Sequence, residues 1–256
     1  MEAEAIVLDT TEHGESDLII TFFSQKTGRL SAIAKGAKRS KKRFVNKLEI
    51  FTFLQISYEQ KNNRSLAFLN EAELHNAFPN LRTHFEQYFA ASIVREFLLL
   101  GIKDSEPEEK IFRLSLWALH NLNKGFPPKP ILALFLIHYF GHIGYRPDLE
   151  SCGFCENRIS KRMRYSFDSA SGRLVCGSCS GYKRYGMELS HGTIKLLHTA
   201  QNLPLERLHR VKATGPILKE ALTLLHNFGR QIFQRDIVSW RLLHHSYPGK
   251  RENKPG

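Results

Sequence analysis

Over roughly the first 75 residues, apolar side chains come in short, partly alternating runs, at 4–9, 17–24, 29–35, 50–58 and 65–74. A period of two sends successive side chains to opposite faces of a strand, so these runs predict five strands. Turn formers separate them, in Glu12-His13-Gly14-Glu15, Lys26-Thr27-Gly28 and Lys61-Asn62-Asn63. Five short strands are enough to close a small barrel of the oligonucleotide-binding type. A small sandwich or open sheet has the same strand count, so at this stage topology stays open.

After Pro79 the period becomes helical. Phe85, Tyr88, Phe89, Ile93, Phe97 and Leu100 fall on one face of a predicted helix over 84–101, with Gly101 as its stop. Ser105-Glu106-Pro107-Glu108 has the form of a capping box, opening a second helix through Phe112, Leu116 and Leu119 to about Asn123. Prolines 127, 128 and 130 break the chain before a third helix over 131–143. This one is apolar on nearly all sides and is expected at the centre of the helical core. His138 and His142 stand four apart on it, a spacing that suits a metal, but no H-E-x-x-H pattern accompanies them and they are read as core histidines. Helical periodicity stops over 145–186. It resumes at Ser190, an expected N-cap, through Ile194, Leu197 and Ala200, and again after Thr214-Gly215-Pro216 through Leu218, Leu222, Leu225 and Phe228.

The expected fold class is therefore α+β and multidomain: a five-stranded oligonucleotide-binding-type barrel over 1–79, then an all-α domain over 80–256 that carries an inserted module over 145–186. The polar residues 247–256 are expected to be a disordered tail. With 256 residues and 42% apolar content the chain can build real cores. Its acidic start, Met1-Glu2-Ala3-Glu4, is unlike a secretory leader, and the longest apolar run, 131–140, is too short to span a bilayer; both point to a soluble cytoplasmic protein with no membrane partner.

Charge narrows the choice of partner. The formal net charge is +12, a field that favours association with nucleic acid or anionic lipid. It is unevenly spread: residues 1–80 hold 11 Lys/Arg against 10 Asp/Glu, residues 81–150 hold 8 against 8, and residues 151–256 hold 18 against 7. Nine basic residues and no acidic one occur between Leu18 and Leu48, and two of them, Lys26 and Arg29, are counted with the loop that follows them as expected DNA-contacting residues. Six of the nine positions from Lys35 to Arg43 are cationic: Lys35, Lys38, Arg39, Lys41, Lys42 and Arg43. So dense a run cannot pair internally, and Gly36 lets the backbone approach a phosphate, so this loop is expected to contact a nucleic-acid backbone rather than base edges. Phe22, Phe23, Phe44, Phe51 and Phe53 lie near it and are read as barrel core in preference to stacking platforms.

The four cysteines form two pairs, Cys152-x-x-Cys155 and Cys176-x-x-Cys179, with 20 residues between them. Tetrahedral zinc takes four thiolates from two such knuckles, and this spacing predicts one closed, structural Zn2+ site. A redox pair would be expected at a strand-to-helix junction of a βαβ unit, and disulfides would imply secretion; an iron–sulfur cluster is the remaining alternative. Gly153 and Gly177-Ser178 supply small residues where each knuckle bends. Arg158, Lys161, Arg162, Arg164 and Arg173 lie between the pairs, and Lys183 and Arg184 follow them. A metal-stiffened module would display these seven side chains with little further loss of entropy, so they form an expected second phosphate-contacting surface. The alternative is that the metal only staples a small insertion with no core of its own, and the two readings are compatible. No Walker-type loop, nucleophile elbow or carboxylate cluster for catalytic magnesium is visible, so the chain is read as no enzyme.

The order of these pieces resembles the bacterial recombination mediator family RecO over essentially the whole chain. The resemblance is carried by Leu18-Ile19-Ile20 leading through Gly28-Arg29-Leu30 into Ala34-Lys35-Gly36-Ala37-Lys38-Arg39, and by Gly144-Tyr145-Arg146-Pro147-Asp148-Leu149 leading into the first cysteine pair. It implies a DNA repair protein of homologous recombination that binds single- and double-stranded DNA and anneals complementary strands. It also implies partners: RecR, the acidic tail of the single-strand-binding protein (SSB), and indirectly the recombinase RecA, at the nucleoid. The four cysteines match the zinc module that only some members of that family carry, and Lys35, Lys38 and Arg39, with neighbouring Lys41, Lys42 and Arg43, match its basic loop. The alternative function is an RNA-binding or ribosome-associated zinc-module protein; a metal-dependent nuclease is the weaker rival.

Overall fold

The structure is a computed structural model that describes residues 1–61, 66–104, 106–181, 186–213 and 215–245. Its five N-terminal strands are β1 (Glu2–His13), β2 (Asp17–Ser24), β3 (Gly28–Ala34), β4 (Phe53–Glu59) and β5 (Ala67–Asn76). They close into a barrel of order β1-β2-β3-β5-β4, with β4 returning to β1 and β3 pairing with β5 in parallel. Strand count alone left a sandwich open, and closure through the β1–β4 ladder removes that alternative. Alternation in β1 sends Ala3, Ala5 and Val7 into the barrel, where they meet Ile20, Phe22, Leu54, Ile56 and Tyr58.

β2 keeps its expected limits, β3 and β5 shift by one or two residues, and β1 and β4 depart furthest. β1 runs on to His13, because Thr10 to His13 pair with Ile20 to Asp17 of β2 in one hairpin register, a cross-strand gain that hydropathy does not record. β4 starts only at Phe53. Phe51 sits in the left-handed region at φ 71°, its N–H donates to the Val7 carbonyl, and the Arg82 guanidinium donates to the Ile50 carbonyl at 2.8 Å and to Thr52 Oγ1 at 2.9 Å.

The helices that follow are α1 (Asn80–Thr83), α2 (Phe85–Gly101), α3 (Glu109–Asn123) and α4 (Pro128–His142). Every residue of α4 from Ile131 to Ile137 is buried, and α4 packs on α2 and α3, as the all-round apolar pattern implies. The buried Tyr139 hydroxyl donates to the Phe97 carbonyl at 2.5 Å, and burial holds its proton far above the usual phenol range. Ser105 of the expected capping box lies outside the described residues, and Glu108 occupies the N-cap of α3 without a side-chain cap bond. The N-cap at Ser190 is present: its Oγ accepts the Thr193 N–H at 3.2 Å.

Between the helices lies a four-stranded sheet of order β6-β8-β7-β9, from β6 (Asp148–Cys152), β7 (Tyr165–Asp168), β8 (Arg173–Cys176) and β9 (Met187–Leu189), with the single-turn α5 (Gly177–Ser180) after β8. Strands of three to five residues are too short to leave a period in the sequence. α6 (His191–Asn202), α7 (Gly215–Phe233) and α8 (Leu242–His245) complete the order. The sheet is no free-standing insertion. Tyr165, Phe167 and Leu174 belong to the same core as α4 and α7, with Phe167 and Phe228 meeting edge to face at 5.4 Å.

The barrel is docked on the helices through its outward residues. Ile6, Leu8 and Phe23 join the helical core; Phe23 meets Phe112 at 5.4 Å and Phe51 meets Tyr88 at 5.7 Å. At the rim of this contact Arg95 reaches the Leu8 carbonyl and Asp9, and Arg29 reaches Asp104. The expected tail, 247–256, lies outside the described residues. No described helix is long and apolar enough to cross a membrane.

Candidate nucleic-acid interface and candidate metal centre

The basic loop leaves β3 through Gly36, whose φ of 67° is a conformation glycine adopts without steric cost. The Gly36 N–H donates to Asp17 Oδ1 at 2.8 Å. This bond, and a second from Ser16 Oγ, hold the Asp17 carboxyl below its usual value of 3.8 against the opposing effect of desolvation. A 3-10 turn, Ala37–Arg39, then buries Ala37 and turns Lys38 and Arg39 outward.

Lys38 Nζ lies 2.8 Å from Glu12 and Arg39 lies 3.7 Å from Glu15, both carboxylates on the exposed end of the β1–β2 hairpin. Exposed pairs of this kind are worth about 0–1 kcal/mol, so a phosphate can compete for either cation. Arg43 donates to the carbonyls of Lys35 at 3.3 Å and Asn70 at 3.4 Å, fastening the loop across β3 and β5. Lys41 and Lys42 are exposed and have no ion pair among the described residues. Lys35, Lys38, Arg39, Lys41, Lys42 and Arg43 are thus gathered at one end of β3.

Lys26 and Arg29 are at the other end of β3, about 20 Å away at 3.3 Å per residue. Lys26 Nζ donates to the Glu2 carbonyl at 2.9 Å. Arg29 is committed to the docking of barrel on helices, with Nε 2.6 Å from Asp104, Nη1 3.0 Å from the Leu99 carbonyl, and its own N–H on the Lys103 carbonyl.

Of the aromatic residues near the loop, Phe22, Phe23, Phe44 and Phe51 are buried, while Phe53 is half-buried against His75 and Phe112. None presents a free ring face. The exposed aromatic beside the loop is Phe68 on β5, 43% exposed, with Lys35 Nζ over its ring at 5.1 Å from the centre. Sequence reading passed it over because an alternating run does not say which of its two phases faces outward.

The four cysteine sulfurs all lie within 4.8 Å of one another, with Cys155 and Cys176 3.8 Å apart. A tetrahedral ion with metal–sulfur bonds of about 2.3 Å sets its ligands about 3.8 Å apart, so the quartet fits one such ion. β6 and the end of β8 position Cys152 and Cys176, and α5 carries Cys179. The first knuckle turns through Gly153, Phe154 and Cys155, closed by the Glu156 N–H on the Cys152 carbonyl at 2.9 Å, with Glu156 itself at φ 59°; the missing side chain of Gly153 also admits the Arg173 stem. Burial would push the Cys152 thiol up, but N–H groups of Cys155, Cys176 and Phe154 outweigh it and bring it down to about 6. Contacts with Cys176 and Cys155 push Cys179 up to about 12. Four thiols this close cannot all ionise without a positive charge among them, and a bound dication would supply that charge.

His138 and His142 do not form a site with other ligands among the described residues. His138 Nε2 pairs with the Ala200 carbonyl at 2.9 Å, and burial lowers the proton affinity of both rings. In the cysteine module Arg158, Lys161, Arg162, Arg164 and Arg173 are exposed, whereas Lys183 and Arg184 lie outside the described residues. Arg158 and Lys161 share a groove of about 490 Å3 with His191, Lys195 and His198 of α6. Those three recur at i, i+4 and i+7, a signal present in the sequence that reading for apolar periodicity ignored.

Residues 1–78 match the family described as Recombination protein O N terminal, and residues 82–241 the one described as Recombination protein O C terminal. Among curated proteins, the DNA repair protein RecO of Syntrophus aciditrophicus is 31% identical over 94% of this chain and 94% of its own length. Those of Syntrophobacter fumaroxidans (28% identical, 95% and 97%) and Thermodesulfovibrio yellowstonii (30% identical, 88% and 90%) are similar over comparable spans.

Proposed function

The chain belongs to the recombination protein O family of DNA repair proteins, and from that premise we propose that it is a non-enzymatic, cytoplasmic and nucleoid-associated mediator. It binds single- and double-stranded DNA, anneals complementary strands, and works with RecR and the SSB tail to load RecA. The reading divides the chain into a DNA-binding barrel, 1–79, and a helical part, 80–256, with a metal-holding module at 145–186.

The observation that carries this reading is the gathering of Lys35, Lys38, Arg39, Lys41, Lys42 and Arg43 at one end of β3, held there by weak or replaceable contacts. Cations so arranged follow a phosphate backbone irrespective of sequence. The exposed side chains Arg158, Lys161, Arg162, Arg164 and Arg173 supply a second cationic surface in the same reading. Two phosphate backbones screened on one protein repel each other less, which is what annealing needs. Cys152, Cys155, Cys176 and Cys179 hold one structural Zn2+ in this proposal. With four protein ligands it has no open position, and its contribution is to fix the module.

Replacing the six loop cations by alanine is expected to weaken binding to both forms of DNA and flatten the salt dependence, by about 0.7 in log–log slope for each lost single-strand phosphate contact. Unchanged affinity and slope would remove the loop from the interface. Annealing of complementary strands coated with SSB, with and without this protein, tests the mediator role; no acceleration would defeat it. Tighter binding to RNA than to DNA of the same sequence would favour the RNA-binding alternative.

A further inference from the structure

Resting on the DNA-binding reading above, we propose that Phe68 is a stacking platform for an unpaired DNA base, uncovered when Lys35 moves from the ring to a phosphate. β2 pairs Ile19 with Ile33 of β3, and β3 pairs Ile33 with Phe68 of β5, so the three residues form a row across the outer face of the barrel. Ile19 is half-buried and Ile33 is 8% exposed, but Phe68 is 43% exposed. The row therefore ends in an accessible aromatic ring.

What surrounds the ring selects its occupant. Lys35 Nζ stands 5.1 Å from its centre, and Arg43 bridges the carbonyls of Lys35 and of Asn70, two residues along β5 from Phe68. A flat apolar ring beside a run of cations matches the two parts of an unpaired nucleotide, base and phosphate. A duplex offers only the phosphate, since its bases already stack on one another. An exposed cation–π contact is weaker than a base stack, so exchanging one for the other while the ammonium gains a phosphate favours the bound state. The loop thereby holds backbones of either kind, and Phe68 adds a preference for single strands.

The test uses the full chain with Phe68→Ala and Phe68→Leu. Leucine retains apolar bulk on β5 but has no ring. Three probes are titrated: an oligothymidylate, an abasic strand of the same length, and a duplex. Both variants are expected to lose roughly tenfold in affinity for the oligothymidylate, the scale of one base stack, while staying within about twofold of the parent on the other two probes. Unchanged oligothymidylate binding, or an equal loss on all three probes, would overturn the proposal. The loop-alanine variant run alongside separates the two readings. If it weakens on all three probes while the Phe68 variants do not change, only the stacking platform falls; if neither set changes, the DNA-binding assignment of this face falls with it.

Discussion

Asp17 Oδ1 accepts the Gly36 N–H at 2.8 Å, joining the first residue of β2 to the left-handed residue at the root of the basic loop. The carboxylate thus sets where six cations emerge, although it stands outside the run itself. The Gly36 bond is the leading cause of the lowered Asp17 pKa, so the sign of the pH dependence follows. A carboxyl depressed in the folded state adds order that is complete above its unfolded value, near 3.8, and is lost as pH falls through the lower folded value. Asp17→Ala should speed hydrogen exchange at the Gly36 amide at neutral pH and leave global stability nearly unchanged. Exchange as slow as in the parent would show that the bond does not order the loop.

Gly28 meets the helical part directly. Its φ is 66°, and a Cβ there would run into the carbonyl oxygens of Glu106 and Lys103. Gly28→Ala combines a left-handed strain with a backbone clash, and should destabilise the protein by about 2–3 kcal/mol. Arg29→Ala, beside it, loses a carbonyl hydrogen bond and a partly exposed ion pair, for about 1 kcal/mol. Denaturant melts check both values. If Arg29→Ala left stability intact and selectively weakened DNA binding, Arg29 would return to the phosphate-contacting set.

Metal should be bound at one zinc per chain, measurable by elemental analysis, with the four thiols unreactive until a chelator is added. Removing it, or replacing Cys176 by serine, should lower the melting temperature, because β8 carries Leu174 and Cys176 into the core that Phe167 shares with Phe228. Zinc affinity should also fall with falling pH, since protons compete for the thiolates. Four freely titrating thiols in native, metal-free protein would refute the site.

The cysteine pairs and the cationic run were legible in the sequence because each is a local cluster of one chemistry. β2 is legible to the residue because turn formers bound its apolar run at both ends, and α4 nearly so because a helix buried all round leaves an unbroken apolar run after its prolines. The limits of β1 and β4 were not, because a hairpin register and an arginine clamp from α1 decide them. The two basic clusters around β3 looked like one surface in the chain. In the fold, the length of β3 separates them, and Arg29 turns to Asp104.

What the sequence determined by itself was composition-level: five strands before a helical core, a quartet of cysteines, and a surplus of cations in two stretches. Those are sums over neighbouring residues, and neighbours suffice to state them. Tertiary structure alone decided that β3 pairs with β5 to close the barrel, that Phe23 faces the helices while Phe68 faces out beside Lys35, and that the cysteine sheet shares the helical core. The reason is that each of these depends on which distant residue lies opposite. A period of two fixes that a strand has two faces and carries no information about what covers them.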